Sequence, residues 1–395
     1  MTRVGDVLPM DADDALLVGR VWDTATGGPR PVRVQGEDVH DLFDVAPTVS
    51  ALLEGDGALE RARCASAPRR WTLSDLVDAS LDRRGDRPWL LAPVDLQVVK
   101  ACGVTFVDSM VERVIEERCA GDPARAGQVR GAVHASLGGD VGSVVPGSAA
   151  AERLKRVLQE QGLWSPSLEV GLGPDPEVFT KAPVLASVGY GAQVGVPAFS
   201  TWNNPEPELV LVVDSTGTPR GCTLGNDVNL RDVEGRSALL LGTAKDNTGS
   251  SALGPFVRLF DERFSLDTVR RERISLRVDG ADGYVLEAEN DVGRLSRPFE
   301  ALVSAAYGPH HQYPDGFVLF TGTLFAPTQD RGPAGQGFTH ATGDRVRIAS
   351  PHLGTLENEV APTESLPQWS FGIGSLLRYV QRRSVLPGPA PAGPT

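Results

Sequence analysis

The stretch WNNPEPELVLVVDSTGTPRGCTLGNDVNLRD, Trp202–Asp232, sets prolines between carboxylates, then runs through an apolar segment, a turn and a return segment. Pro205 and Pro207 keep the backbone extended and prevent a helix. On such a backbone Glu206 and Glu208, two apart, place both carboxylates on one face. Leu209–Val213 continues as an apolar strand, Ser215–Arg220 carries turn residues and Gly221–Val228 returns, which predicts a β-hairpin. With Asp214 paired to Gly221, Glu208 lies opposite Asp227, and directly paired residues have Cβ atoms about 5 Å apart. Three carboxylates at that distance repel one another. A hard divalent cation with oxygen ligands removes the repulsion, and Mg²⁺ typically keeps waters that a chelating substrate can displace; Mn²⁺ is the alternative. The competing reading is a solvated acidic hairpin. The apolar strand beside the carboxylates and the lysine in Ala244-Lys245-Asp246-Asn247 weigh against it.

Outward from the hairpin, the chain reads as mostly strands. Leu16–Trp22 and Pro31–Val34 flank a Gly27-Gly28-Pro29 turn, so residues 1–92 are expected to form a small β-rich domain. Leu52–Asp75, with Arg61, Arg63, Arg69 and Arg70, reads as loop or linker. Residues 107–119 (VDSMVERVIEERC) space Val107, Met110, Val111, Val114 and Ile115 as one helix face. A second helix is predicted at Ala149–Gln161, ended by Gly162. Further strands are predicted at Ile274–Val278, Tyr284–Ala288, Val318–Thr321 and Asp344–Ile348. Residues 93–385 would form the second domain, and the Pro/Gly-rich tail 386–395 would be disordered. The glycine-rich Gly189–Gly195 reads as a turn rather than a nucleotide cradle.

A formal charge of −13 disfavours nucleic acid and anionic membranes as partners. No apolar run approaches the roughly 18 residues of a membrane span, and the acidic N-terminus is unlike a secretory signal. Cys64, Cys102, Cys119 and Cys222 show no CxxC spacing, so reduced thiols and a cytoplasmic location are expected. Neither a GxSxG elbow nor an HExxH pair occurs.

The order Glu206, Glu208, Asn226-Asp227-Val228-Asn229-Leu230-Arg231-Asp232, Lys245, Gly254-Pro255, Pro314-Asp315-Gly316 and Thr321-Gly322-Thr323 resembles the fumarylacetoacetate hydrolase family over about residues 95–360. The stretches WNNPEPE, LGNDVNLRDVEGRSALLL, AKDN, HQYPDGF and GQGFTH are similar to its longer bacterial members that dehydrate 2-keto-3-deoxy-D-pentonates. The resemblance implies an α+β, mostly β fold, with a coiled mixed β-roll as catalytic domain and a smaller N-terminal domain. It also implies a homodimer or homotetramer acting on a small-molecule 2-keto acid.

One departure bears on chemistry. Hydrolytic members carry G-x-N-Y-x-x-H-x-x-E, whose His and Glu activate water. Here the segment runs Gly103 to Glu112, with Ser109 in the histidine's place. A serine hydroxyl is no base near neutral pH. Dehydration needs no attacking water. The expectation is therefore Mg²⁺-dependent conversion of 2-keto-3-deoxy-D-pentonate to 2,5-dioxopentanoate. Glu206, Glu208 and Asp227 would hold the metal, and Lys245 would act on the enolate as base or fixed charge. Glu112 is the candidate acid/base beside Ser109, and Thr323, with Gly322 and Thr105, would take the substrate. A hydrolase of 2,4-diketo acids is the alternative, and a non-catalytic scaffold a third reading. His310 and His311 read as loop or packing residues, with substrate contact as the alternative, and Arg231 with Asp232 as a structural ion pair beneath the site.

Overall fold

The hairpin forms, and it lies inside a large mixed sheet. The computed structural model describes residues 4–137, 144–160, 162–325 and 327–385, so the expected tail at 386–395 lies outside the described residues. In chain order the strands are β1 (Leu17–Asp23), β2 (Gly28–Gln35), β3 (Asp38–Asp41), β4 (Arg69–Thr72), β5 (Trp89–Leu91), β6 (Val98–Gly103), β7 (Glu177–Ala182), β8 (Gln193–Val196) and β9 (Asn203–Asn204). There follow β10 (Pro207–Val213), β11 (Pro219–Asp227), β12 (Asn229–Leu230), β13 (Ser251–Leu259), β14 (Arg273–Asp279), β15 (Val285–Asp291), β16 (Phe317–Phe320), β17 (Arg345–Ser350) and β18 (Gly354–Pro362). One sheet runs β4-β3-β2-β1-β13-β11-β10-β16-β6-β7, with β5 on β1; a second runs β15-β14-β17-β18-β8, and β9 pairs β12. Two pairings are parallel, β16 with β6 and β18 with β8, so both large sheets are mixed. Neither closes into a barrel, and the strand-rich mixture of helices and sheets agrees with the expected α+β, mostly β class.

β10 explains the position of the site. Its seven residues are all buried. Leu209, Leu211 and Val213 pack in one core with Leu276, Val278 and Ile348 of the second sheet. Val210 and Val212, on the other face, pack with Val99, Ala101, Val318 and Phe320, and with Val49 and Leu52 of a short helix. A strand covered on both faces reads as an unbroken apolar run.

The assumed register was off by two. Val212 pairs with Gly221, and Val213 with Pro219 across a bulge. Glu208 therefore faces Gly225, and the Asp227 amide donates to the Glu206 carbonyl at 3.0 Å. The turn is tighter than assumed because the Asp214 carboxylate accepts from the amides of Thr216 and Thr218, both at 3.0 Å. Side chains alternate with period two, so a slip of two keeps all three carboxylates on their face.

The N-terminal strands join the same sheet: Leu17 and Val18 of β1 pair with Arg258 and Val257 of β13. The 52–75 stretch, expected as a loop, holds the helix Ala58–Ala62 and β4, and leads into α1 (Leu73–Asp82). Each of the first two is too short to show a period. Arg69 and Arg70 in it pair with Asp38, Asp23 and Asp41. β13 was not foreseen because Gly254-Pro255 reads as a break. The predicted helices are α2 (Val107–Cys119) and, after α3 (Ala126–Leu137), α4 (Ala149–Glu160). Met110, Val114 and Ile115 of α2 pack with Leu168 and Trp202. Among the described residues no helix is long and apolar enough to cross a membrane.

Candidate active site

Glu206, Glu208 and Asp227 each offer a carboxylate oxygen within 4.8 Å of the others, and all three are buried. Two lysines meet them. Lys245, closing the short helix Leu241–Lys245, donates to Glu206 and, at 3.2 Å, to Asp227. Lys181 of β7 has no exposed side chain; it lies 2.7 Å from Asp227 and donates to the Val228 carbonyl at 3.0 Å. Burial alone would raise the Asp227 pKa, but the charges of Lys181 and Lys245 outweigh it and hold the group below the usual carboxylate value. Glu208 is different. It accepts a hydrogen bond from the Gly322 amide at 2.6 Å. Burial, then the charges of Asp227 and Glu206, push Glu208 well above the usual carboxylate range. This is the signature of a donor set short of positive charge, and three oxygen donors suit a hard divalent cation.

Around the carboxylates lie Gly103, Ser109, Arg113, Glu177, Phe179, Glu234, Gly322 and Thr323. The cavity they enclose is about 20 Å³, the size of a water or an ion rather than of an organic acid. Two glycines make it possible. A Cβ on Gly103 would stand 1.8 Å from the Glu177 carboxylate, so only glycine leaves that group its place. Gly322 has φ +94, and a Cβ there would meet the Thr105 hydroxyl at 1.9 Å. That hydroxyl donates to the Thr321 carbonyl at 2.7 Å, fixing the corner whose next amide reaches Glu208.

The other expected site residues divide. Ser109 and Thr323 line the cavity; the Ser109 hydroxyl donates to Phe106 O at 2.9 Å, and the Thr323 hydroxyl accepts from the Phe325 amide at 3.1 Å. Thr105 sits behind Gly322. Glu112 does not line the cavity: its two oxygens take Arg130 Nε and Nη2, both at 3.0 Å, and Arg231 lies 3.4 Å away. The helical step explains this, since Ser109 and Arg113, four apart on α2, share the face toward the carboxylates. Arg231 and Asp232 do not pair with each other, correcting the expected ion pair. Arg231 is buried, donates to Glu116 at 2.7 Å and stacks on the Trp202 ring at 3.9 Å. Asp232 instead accepts from the Ser200 hydroxyl and the Thr201 amide. His310 and His311 do not line the cavity: the His311 backbone pairs with that of Gly308, and His310 Nε2 lies 3.2 Å from the Ala305 carbonyl.

Four charged residues escaped the sequence reading. Arg113 donates to Glu206, Glu234 and Glu116. Glu234 is pushed up to about 7, burial being the largest cause. Burial also raises Glu177. Glu177 and Lys181 are four apart on β7, an even spacing that puts them on one face with Phe179 between; that alternation was the available signal.

Residues 153–361 match the family described as the C-terminal part of fumarylacetoacetate (FAA) hydrolase, and the chain belongs to that family. It is 33% identical over 184 residues to 2-dehydro-3-deoxy-D-arabinonate dehydratase of Saccharolobus solfataricus, an alignment covering 46% of this chain and 57% of that relative. It is 27% identical over 304 residues to the probable 2-keto-3-deoxyxylonate dehydratase of Haloferax volcanii, covering 77% and 97%. Among solved structures, 2-keto-3-deoxy-D-arabinonate dehydratase complexed with magnesium and 2,5-dioxopentanoate shares the fold with TM-score 0.61 at 20% identity, covering 88% of this chain and 99% of that one. A fumarylacetoacetate hydrolase from Exiguobacterium antarcticum shares it with TM-score 0.54 at 15% identity, covering 88% and 100%.

Proposed function

We propose that the protein dehydrates 2-keto-3-deoxy-D-pentonate to 2,5-dioxopentanoate, with Mg²⁺ held by Glu206, Glu208 and Asp227. The relatives' names support the substrate class. Support for the metal comes from the raised Glu208 carboxyl beside two negative neighbours, and from the magnesium named in the structural relative. A bound Mg²⁺ would supply Lewis acidity at the acid's carboxylate and C2 oxygen, acidifying the C3 proton. Lys245 keeps its proton here, since Asp227, Glu206 and Glu234 outweigh its burial. It therefore serves as a fixed positive charge next to the developing enolate. Glu177, partly buried at the cavity wall with a raised pKa, takes the C3 proton and returns it to the departing C4 hydroxyl, so one water leaves. The resulting 5-hydroxy-3-enoate tautomerises to the aldehyde. Thr323, whose hydroxyl proton is not engaged by Phe325, donates to the substrate carboxylate. Glu112 anchors Arg130 and Arg231 rather than moving protons. Because the cavity fits an ion only, the acid enters once wall residues move. We also infer a cytoplasmic homo-oligomer, on the unpaired cysteines and the family resemblance.

The observation that favours dehydration over hydrolysis is the cavity wall itself. No histidine is among its described residues, and Ser109 stands where a hydrolase would activate water. The test is product analysis: an aldehyde-dehydrogenase-coupled assay should report semialdehyde from 2-keto-3-deoxy-D-pentonate, and a lactate-dehydrogenase-coupled assay negligible pyruvate from acylpyruvates. Rapid pyruvate release with no semialdehyde would overturn the proposal in favour of a hydrolase.

A further inference from the structure

A second cavity, about 530 Å³, opens between β1, β5, α1 and the segments 185–193 and 366–371. That volume lies within the range of small-molecule sites. Its walls are aromatic. Trp22 and Trp89, paired across β1 and β5, stack with ring centroids 5.5 Å apart, and Phe371 stands edge-on to Trp22 at 5.0 Å. Trp369 lines it too.

Arg20 lies two residues before Trp22, on the same face of β1, and lines the same cavity with only 6% of its surface exposed. Its guanidinium donates to the Val94 carbonyl, while Nε has no hydrogen-bond partner. Among the described residues no carboxylate is within ion-pair distance of it. Asp95, the acid whose field reaches it, already accepts from the amides of Val49, Ser50 and Leu96. Four polar side chains of the lining are engaged elsewhere: Ser80 with Leu76 and Leu90, Arg83 and Gln193 with Glu359, Ser187 with Ser251. A buried cation without an ion-pair partner is costly, and an anion at the guanidinium lowers that cost.

We propose that this cavity binds a planar aromatic carboxylate, its ring against Trp22, Trp89 and Phe371 and its carboxylate on Arg20. The aromatic wall selects a flat apolar body, and the guanidinium selects a planar oxyanion through paired hydrogen bonds. This site is separate from the three carboxylates and does not depend on the proposed reaction.

Calorimetric titration of the full chain with 2-naphthoate and with its neutral isostere 2-naphthamide tests it. Naphthoate should saturate a single site, quench tryptophan emission and bind at least about tenfold more tightly than the amide, the scale of one charge-assisted contact. Arg20→Met should keep the melting temperature and erase that preference, because an apolar side chain of similar length tolerates the site. Leu91→Trp should fill the cavity and abolish both titrations. EDTA should leave binding unchanged, which separates this cavity from the carboxylate centre. No saturable heat, as expected if a second copy of the chain covers the cavity, would overturn the proposal. So would equal affinities, loss of binding with EDTA, or undiminished binding in Leu91→Trp.

Discussion

Lys245 is buried and Glu177 partly buried beside the three carboxylates, and their surroundings act on them differently. Lys245 gains two carboxylate partners and stays a cation; Glu177 makes no ion pair among the described residues, and desolvation outweighs the charges of Arg113 and Lys245 to raise its pKa. Replacing Lys245 with Met removes the charge at similar length, and turnover should drop by about 10² or more, the scale of a lost acid/base or electrostatic group. Magnesium affinity, read by titration, should not weaken, because a repelling cation is gone. Near-normal turnover would remove Lys245 from the chemistry. Glu177→Gln should likewise cut kcat by about 10² with metal binding retained, whereas Glu112→Gln should move the melting temperature more than turnover. The reverse ranking of these two variants would return the acid/base role to Glu112. Glu206, Glu208, Asp227 and Lys245 were legible because they cluster around one hairpin. Arg113 was not, because a helix pattern marks the apolar face and leaves the charged residues of VERVIEER indistinguishable until a partner is placed against them.

At the scale of elements, α2 and the helix Arg231–Glu234 are joined by charge rather than by apolar contact. Arg231, with no exposed side chain, sits between Glu116 and Glu112, and Arg113 reaches back to Glu234. Deleting one member of such a group leaves buried charge uncompensated. Arg231→Ala should therefore destabilise the protein by about 3 kcal/mol or more in urea unfolding, while Arg84→Ala, at an exposed pair, should change stability by less than about 0.5 kcal/mol. Equal effects would mean that the buried network contributes nothing beyond a surface pair. The hairpin itself was predicted in kind but not in register. Turn residues fix where a strand reverses only when the side-chain hydrogen bonds of the turn are known, and those of Asp214 were not readable from the letters alone.

At the scale of the molecule, the expected division near residue 92 is crossed by backbone hydrogen bonds, since β1 lies between β2 and β13. Removing residues 1–92 would bare the edge of β13 with Phe256 and Val257, both buried in the full chain. An exposed apolar edge strand recruits other chains. The truncated protein should run as soluble aggregate or precipitate in size-exclusion chromatography; a monodisperse truncated protein that still binds metal would show the boundary to be real in folding as well as in sequence. The large sheet was hard to foresee because it pairs β1 with β13 across more than two hundred residues, a relation that local patterns do not carry.

The unpaired Glu208 has a consequence for how metal is taken up. Lys181 and Lys245 pair with Asp227 and Glu206, so of the three carboxylates Glu208 has no ion-pair partner among the described residues, and a retained proton neutralises it. An arriving divalent ion must expel that proton, because only the ionised carboxylate is a good ligand. Loading should therefore release about one proton per ion, and affinity should strengthen as pH rises across the range in which Glu208 still holds its proton in the metal-free protein. Calorimetry in buffers of different ionisation enthalpy would count that proton, and an affinity flat across the range would show that Glu208 is already ionised before the metal arrives. Once bound, a divalent ion would give Glu208 the cationic partner that Lys181 and Lys245 already give Asp227 and Glu206.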